Sequence, residues 1–327
     1  MKILVRLPNW LGDMVMSVGA INQLSYFFPG AEVSVIAKKG IHELLEFFPK
    51  INHRFIYSKE EYRGLKGIWK FGRKIREADK FDLFISFPDS FSSAVMGYAS
   101  GATKRIGYKK EGREMLLTDA YAKPKKSHRA EEYVQLLEAY TAKKAKAFSV
   151  DLKHRFSKGD HIVININSEA SSRRLTTAKA VEIIEATRAN LANKIVLIGS
   201  PNEKDFVEEV LRSIENKGGI ESVAGKTSLK QLCEILASAK VTLTTDSGPA
   251  HLANALGTQT VVLFGAGNEN NTAPYNKEAV QTLRLGKLSC EPCLKNVCVQ
   301  FSTPQCLELL ETERIISVMN EKLSRWK

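Results

Sequence analysis

Hydrophobic and polar positions along the first half of the chain follow two alternating periods, one typical of strands and one typical of helices. The short apolar run KILVRL is followed by LGDMVMSVGAINQLSYFF, in which apolar residues recur every three or four positions. Pro29 and Gly30 mark the end of this predicted helix. Three further segments predict a strand, a helix and a strand, EVSVIA, IHELLEFFP and KFDLFISFP, and DSFSSAVMGYASG predicts another helix. Such alternation predicts a parallel sheet covered by helices on both faces.

The same pattern restarts after a polar basic stretch, a predicted helix from about Arg129 to Lys144 and the connector SVDLKHRFSKGD. The segments HIVINI, KIVLIGS, VTLTTD and TVVLFG predict strands, and TTAKAVEIIEATRAN, NEKDFVEEVLRSIEN and TSLKQLCEILASA predict helices. A chain of 327 residues is long enough for two domains. We therefore predict an α/β fold with two doubly wound halves, residues 1–155 and 156–327, and a ligand crevice between them. In such sheets ligands bind at the carboxyl ends of the strands.

Composition adds a charge bias to this picture. The chain has 43% hydrophobic and 26% charged residues, as soluble globular proteins do, and its net charge is +12. Such a charge favours an anionic partner, which could be nucleic acid, a membrane surface or a phosphorylated substrate. The chain has no apolar run of the roughly 18 residues that a membrane crossing needs. Its first residues predict a strand rather than a signal peptide, so we expect a cytoplasmic protein.

The segment TDSGPAH lies where a predicted strand ends and a predicted helix begins. Pro249 suits the first helical position, and Asp246 or Ser247 could cap the free N–H groups, which would make this an ordinary capped helix. The alternative is an anion site, because free N–H groups and the positive end of the helix dipole meet there. The small residues Ser247 and Gly248 would let a diphosphate approach the backbone.

The first strand of the chain leads into a comparable turn, PNWLGDMVMS, with Gly12 and Asp13 at the start of the helix. One interpretation is that a carboxylate at that position merely complements the helix dipole, which stabilises a helix by roughly 0.3–1 kcal/mol. It could also face the TDSGPAH turn across one ligand cleft. The residues alone leave both interpretations open.

Several segments together carry a resemblance to a known family. The sequences PNWLGDMVMS, SEASSRRLTT, LIGSPNEKD, GKTSLKQ, TDSGPAHLANALG and the cysteine-rich CEPCLKNVC resemble glycosyltransferase family 9, within it most closely the ADP-heptose:lipopolysaccharide heptosyltransferases. The resemblance covers nearly the whole chain and is weak between about Ser58 and Thr141. It implies a GT-B fold of two Rossmann-like domains facing across a cleft, an acceptor-binding first half and a donor-binding second half. It also implies an inverting reaction without metal or other cofactor, and it leaves open whether the final helix packs on the first domain.

The resemblance also implies roles for individual residues. Asp13 matches the family's general base. Arg173 falls where the family has a phosphate-binding lysine, but Leu175 and Thr176 replace the aromatic residue and the proline that follow it, so Arg174 could share the role. The donor-binding residues implied in this way are Arg173, Arg174, Glu203 (ribose), Thr227 (adenine), Asp246, Ser247, Gly248 and His251.

The chemistry of an inverting transfer agrees with this division of residues. It needs one base for the attacking hydroxyl and a site that stabilises the departing diphosphate. An arginine could supply that positive charge in place of a divalent cation. Arg173 and Arg174 could instead be a solvated helix start, but cations are unfavourable at a helix N-terminus, which favours an anionic partner.

The basic stretch from Gly101 to Ala130 contains nine Lys and Arg residues against three acids. In an acceptor-binding half this charge suits a phosphorylated, carboxylate-bearing glycolipid at the inner membrane face, and a solvated loop is an equally good interpretation. The candidate acceptor residues are Gly12, Lys104, Arg105, Arg113 and Arg129. A nucleic-acid-binding protein is the competing class, but no helix-turn-helix, zinc finger or RNP-like strand supports it. Within the family, another nucleotide sugar or acceptor is the alternative.

Four of the five cysteines, Cys290, Cys293, Cys298 and Cys306, lie close together in the sequence. A CxxC with two further cysteines can bind zinc, although the usual second CxxC is missing. A disulfide is not expected in a cytosolic chain. A metal site, redox chemistry and simple loop packing therefore remain alternatives, and the oligomeric state is open.

Overall fold

The computed structural model describes residues 1–324 of the chain. Internal contacts divide it into two compact units, one ending at Lys153 and the other beginning at His154. Within residues 1–324, none of the helices combines the length and the apolar character that a membrane crossing requires.

The first unit is one parallel sheet with helices on it. Its strands are β1 (Lys2–Arg6), β2 (Glu32–Lys38), β3 (His53–Tyr57), β4 (Leu83–Ser86), β5 (Lys104–Tyr108) and β6 (Asp119–Tyr121). Its helices are α1 (Leu11–Met16), α2 (Val18–Phe27), α3 (Gly64–Ala78), α4 (Phe91–Ala99) and α5 (Arg129–Thr141), with short 3₁₀ turns at His42–Glu46 and Arg113–Leu116. The strand order β3-β2-β1-β4-β5-β6 reverses direction between β1 and β4, which makes this point the topological switch point.

The second unit repeats this topology. Its strands are β7 (His161–Asn165), β8 (Lys194–Leu197), β9 (Ile220–Ser222), β10 (Val241–Thr245), β11 (Gln259–Phe264) and β12 (Val280–Arg284). Its helices are α6 (Thr177–Asn190), α7 (Lys204–Ser213), α8 (Leu229–Ser238), α9 (Gly248–Ala255), α10 (Glu269–Thr272), α11 (Gln305–Glu308) and α12 (Thr312–Ser324), with 3₁₀ turns at Ser171–Arg173, Pro201–Glu203 and Lys277–Ala279. The order β12-β11-β10-β7-β8-β9 places the switch point between β7 and β10.

The predicted α/β fold of two doubly wound parallel sheets is confirmed, with local differences. Strands β1 and β10 are buried along almost their whole length, and their sequences, KILVR and VTLTT, are rich in apolar and β-branched residues. The helix predicted from Leu11 is divided at Ser17, whose hydroxyl donates to the Met14 carbonyl at 2.7 Å and competes with the helical backbone bonds. The segment predicted as the second helix is a 3₁₀ turn.

The final helix packs in the second unit through its described residues. Ile315, Ile316 and Met319 of α12 are buried in the same hydrophobic core as Ile183 and Ile184 of α6. Near the start of the helix, the Thr312 hydroxyl accepts a hydrogen bond from Lys179 Nζ at 3.0 Å. Residues 325–327, the end of the predicted second domain, lie outside the described residues.

Candidate active site

In the first unit, Asp13 lies just beyond the carboxyl end of β1, at the switch point. It is the third residue of α1, and its side chain is 29% exposed. Arg129, the first residue of α5, places its Nε 3.8 Å from Asp13 Oδ1, and its Nη1 lies 3.3 Å from Glu132. Asp89 follows β4, the strand on the other side of the switch point. The topology therefore brings two carboxylates and a guanidinium to one edge of the sheet.

The pKa values of the two aspartates in this cluster are shifted in opposite directions. Burial raises the pKa of Asp13, and Asp89 raises it further, while Arg129 and Lys123 act in the opposite direction. Burial also opposes ionisation of Asp89, but Lys123 and Lys110, at 3.3 and 3.4 Å, lower the pKa of that carboxyl. Asp89 is thus held as an anion between two lysines. Asp13 is the more basic carboxylate and is accessible to a ligand.

Only part of the basic stretch converges on this cluster, namely Lys110, Lys123 and Arg129. Lys104 and Arg105 begin β5, so they lie at the amino edge of the parallel sheet, opposite the edge that carries Asp13. Arg113 is fully buried, and its Nη1 donates to the Pro88 carbonyl at 2.6 Å. Of the predicted acceptor residues, Gly12 and Arg129 lie with Asp13, and Arg113 is buried beside Asp89. We do not keep Lys104 and Arg105 in the candidate site.

Three residues of the cluster escaped prediction as site residues. Lys110 and Lys123 were counted only as part of the basic stretch, and Asp89 was not singled out. Asp89 had a usable signal, because it is an acid three residues after the buried strand β4 and so lies at the ligand-binding edge of a doubly wound sheet.

In the second unit, the TDSGPAH segment joins β10 to α9 without the predicted capping bond. Ser247 is the N-cap residue of α9, but its side chain makes no capping hydrogen bond. Its hydroxyl instead accepts a bond of 2.9 Å from Nδ2 of Asn165, the last residue of β7. Asn165 also donates to Thr244 at 3.0 Å. The ordinary capped-helix interpretation is therefore wrong, and the loops after β7 and β10 are tied together at the switch point.

Asp246 is almost completely removed from solvent, with 4% of the residue exposed. Its Oδ2 lies 3.3 Å from Nη1 of Arg173. A Cβ at position 267 would come within 1.9 Å of the same oxygen, so the loop after β11 must have glycine there. Burial raises the pKa of Asp246 to about 6, with Arg173 and Arg284 opposing the shift and Glu269 adding to it.

The loop after β11 is held by Arg284, the last residue of β12. The guanidinium lies 2.5 Å from Glu269 and 3.3 Å from Glu291, and it donates to the Gly265 carbonyl at 2.6 Å. Neither Arg284 nor Gly267 was predicted, although two glycines directly after a buried strand, FGAG, are a sign of close backbone approach. This network fixes the wall against which Asp246 packs.

The remaining predicted donor residues all follow carboxyl ends of strands in the same sheet. The Arg174 guanidinium stacks over the Phe206 ring at 5.1 Å, while the Nε of Arg173 is buried without a hydrogen-bond partner among the described residues. Glu203, after β8, accepts a bond of 2.7 Å from the Ser200 N–H in a capping box. Thr227 follows β9, and His251 is buried on α9.

The four clustered cysteines are free thiols around one small cavity of about 60 Å³. Burial raises the pKa of the Cys306 thiol to about 11, and the neighbouring Glu291, Cys293 and Cys298 contribute to the shift. Within residues 1–324, no group of three or more His, Cys, Asp or Glu side chains has an arrangement that could hold a metal ion. The Cys306 thiol is therefore protonated at neutral pH.

Taken with the fold, these sites define a class of protein. One unit presents an accessible carboxylate of raised pKa. The other presents a helix N-terminus and a half-buried arginine, which are suited to an anion such as a phosphate. Base and anion site are the two elements that a group-transfer enzyme with a phosphorylated leaving group requires.

Comparison with known proteins identifies the family. Residues 68–302 match glycosyltransferase family 9 (heptosyltransferase), and the chain belongs to this family. Lipopolysaccharide heptosyltransferase 2 of Salmonella typhimurium strain LT2 is 29% identical over 313 residues, 85% of this chain and 87% of that protein. Lipooligosaccharide heptosyltransferase 2 of Campylobacter jejuni serotype O:6 (strain 81116) is 24% identical over 337 residues, 99% of either chain.

The solved structures agree with the fold. The E. coli ADP-heptose LPS heptosyltransferase II superposes with a TM-score of 0.83 over 99% of both chains, at 24% identity. The E. coli heptosyltransferase WaaC with ADP gives 0.77 over 98% of this chain and 100% of that one, at 16% identity. The resemblance read from the sequence is confirmed, and the family assignment removes the support for a nucleic-acid-binding protein.

Proposed function

We propose that this glycosyltransferase moves heptose from ADP-L-glycero-D-manno-heptose to the inner core of lipopolysaccharide, with inversion at the anomeric carbon. The relatives named heptosyltransferase 2 support the substrates, since one of them aligns along 99% of the chain. The observation that carries the mechanism is Asp13, a partly exposed carboxylate of raised pKa at the switch point of the first unit.

In this mechanism Asp13 is the general base. An acceptor hydroxyl loses its proton to the carboxylate as its oxygen forms a bond to the anomeric carbon of the heptose. The bond between that carbon and the diphosphate oxygen breaks, and ADP leaves with the electron pair. A base of raised pKa suits this step, because a more basic carboxylate takes up the proton more readily. Arg129 orients the carboxylate from 3.8 Å.

The second unit binds the donor and stabilises its leaving group. In this proposal the N–H groups at the start of α9 donate to phosphate oxygens. The buried Nε of Arg173, which has no hydrogen-bond partner within residues 1–324, does the same. Glu203 holds the ribose, the backbone at Thr227 reads adenine, and Arg174, Ser247, Gly248 and His251 complete the donor site. Asp246 acts indirectly, by holding Arg173 and the loop after β10.

We further propose that catalysis needs no divalent metal, because Arg173 and the α9 N-terminus provide the positive charge that the leaving diphosphate requires. Turnover should therefore persist in excess EDTA. Activity that disappears with the chelator and returns with Mg²⁺ or Mn²⁺ would contradict this part of the proposal. We also propose that the enzyme works in the cytoplasm, where the nucleotide sugar and the inner-core acceptor meet at the inner membrane face.

The test is a product assay with purified protein. ADP-heptose and a series of inner-core acceptors of decreasing length are incubated with the enzyme, and the products are identified by mass spectrometry. We expect addition of a single heptose to one acceptor of the series, and product formation at least about a hundredfold slower with Asp13→Asn. Transfer from another nucleotide sugar, with none from ADP-heptose, would favour the alternative within the family.

A further inference from the structure

Helices α3 and α4 of the first unit carry an exposed apolar patch that the proposed active site does not use. Leu65 is 54% exposed, Trp69 43% and Tyr98 47%. The rings of Trp69 and Tyr98 lie 5.8 Å apart at an angle of 34°. Large apolar side chains grouped on a surface mark an interaction site more often than scattered ones do. We call this patch, with the basic residues around it, the α3–α4 face.

The patch is surrounded by positive charge. Helix α3 has five basic residues and a single acid, Glu77, which lies 4.0 Å from Arg73. The guanidinium of Arg105 lies over the Tyr98 ring at 5.3 Å, and Lys104 is its neighbour at the start of β5. Two residues that the sequence assigned to the acceptor site thus border the α3–α4 face instead. The basic residues of α3 are Lys66, Lys70, Arg73, Lys74 and Arg76.

The α3–α4 face is supported by tight packing of its two helices. On its inner side, α3 buries Ile68, Phe71 and Ile75 in the core. The two helices approach closely, since a Cβ at Gly72 would come within 2.6 Å of the Ala99 Cβ. Trp69, Arg73, Arg76 and Tyr98 line an open groove of about 540 Å³ between them.

We propose that the α3–α4 face docks the enzyme on an anionic phospholipid surface. The basic side chains contact lipid phosphates, and Leu65 and Trp69 enter the interfacial region, where amphipathic rings and apolar side chains are favoured. Nucleic acid fits less well, because the Arg105 guanidinium already lies over the Tyr98 ring, where a base would stack. The inference rests on the proposed function to the extent that the acceptor is a membrane glycolipid.

Flotation with vesicles tests this directly. Wild-type protein is mixed with vesicles of phosphatidylcholine alone or with 3:7 phosphatidylglycerol:phosphatidylcholine, at low and high salt. We expect binding to the anionic vesicles only, weakened by salt. Lys70→Glu/Arg73→Glu should bind at least tenfold more weakly, and Leu65→Ala/Trp69→Ala should also bind more weakly. The matched control is Arg212→Glu/Lys217→Glu, which reverses two exposed basic residues of the second unit and should bind as the wild type does.

A second readout keeps this test separate from the proposed function. With a lipid-free core oligosaccharide as acceptor, the α3–α4 variants should transfer heptose at the wild-type rate, and thermal melts should show that they are folded. Equal binding of wild type and Lys70→Glu/Arg73→Glu to anionic vesicles would overturn the docking proposal, whether or not heptose is transferred. Stronger binding to a short DNA duplex than to vesicles, lost in the same variant, would also overturn it.

Discussion

Asp13 and Asp246 occupy equivalent edges of two sheets with the same strand order, yet their surroundings differ. Each follows a central strand beside the switch point. The Asp13 side chain is 29% exposed, with its arginine 3.8 Å away, whereas the Asp246 side chain is 5% exposed, with its arginine at 3.3 Å. Burial raises the pKa of both, and for Asp246 the value reaches about 6.

The comparison shows that the topology places a carboxylate at the ligand-binding edge of each sheet. The solvent exposure of that carboxylate then determines whether it can contact a substrate. Asp13 can meet a substrate hydroxyl. Asp246 is closed off by Gly267 and Arg173, so we assign it the role of holding the loops of the donor site. Each of the following substitutions alters either Asp13 or Asp246, or a residue beside one of them.

The largest effect is expected for Asp13→Asn. Removing the base should lower kcat by about 10²–10⁴, the usual contribution of a general base. Single-turnover rates with saturating ADP-heptose measure it, and an unchanged melting temperature shows that the fold is intact. A variant that keeps most of the wild-type kcat would mean that Asp13 only complements the helix dipole.

Asp246→Asn should stabilise the protein at neutral pH. Because the native pKa of about 6 lies above the ordinary 3.8, the native state binds the proton more tightly than the unfolded state. The stabilisation from this group is complete below about pH 4 and is lost as pH rises through 6. The amide avoids that loss, so the variant should gain about 3 kcal/mol over the wild type at pH 8, at 1.36 kcal/mol per pKa unit.

Urea denaturation of wild type and Asp246→Asn at pH 4 and pH 8 checks this prediction. The difference between the two proteins should be larger at pH 8. If it is the same at both pH values, Asp246 does not carry the charge penalty assigned to it.

Gly267→Ala should lower both stability and ADP affinity, because the new Cβ would lie 1.9 Å from Asp246 Oδ2 and displace the loop. Overpacking of this kind typically costs about 1–3 kcal/mol. Gly218→Ala is the control, since its Cβ would meet only the Asn216 side chain, at 3.1 Å. Equal denaturation midpoints for the two variants would show that the Asp246 pocket tolerates the methyl group.

The smallest effect is expected for Arg129→Gln. Arg129 and Lys123 both lower the pKa of Asp13, Arg129 more strongly. Its removal should move the acid limb of the kcat/KM profile to higher pH, and Lys123→Gln should move it less. Arg212→Gln, in the second unit, serves as the control. If the pH profile of Arg129→Gln does not move, Arg129 does not affect the pKa of Asp13.

The sequence predicted the buried parts of both sheets better than their edges. Strand β10 is buried at every position and stands out as a β-branched run, VTLTT. Strand β3, with two exposed positions in five, and the three-residue β6 give no such signal. Counting charges in the sequence also could not show that Lys104 and Arg129 lie at different edges of the sheet. Both belong to one basic stretch, but a parallel sheet sends the start of β5 and the loop after β6 to opposite edges.

Calorimetric titration of ADP into Asp13→Asn and Gly248→Val tests the central claim, that chemistry and donor binding belong to different units. Asp13→Asn should bind ADP with the wild-type Kd although its turnover is lost. In Gly248→Val, a side chain would keep phosphate from the backbone N–H groups at the start of α9, and ADP should bind at least tenfold more weakly to a folded protein. Loss of ADP affinity in Asp13→Asn, or a wild-type Kd in Gly248→Val, would contradict the account.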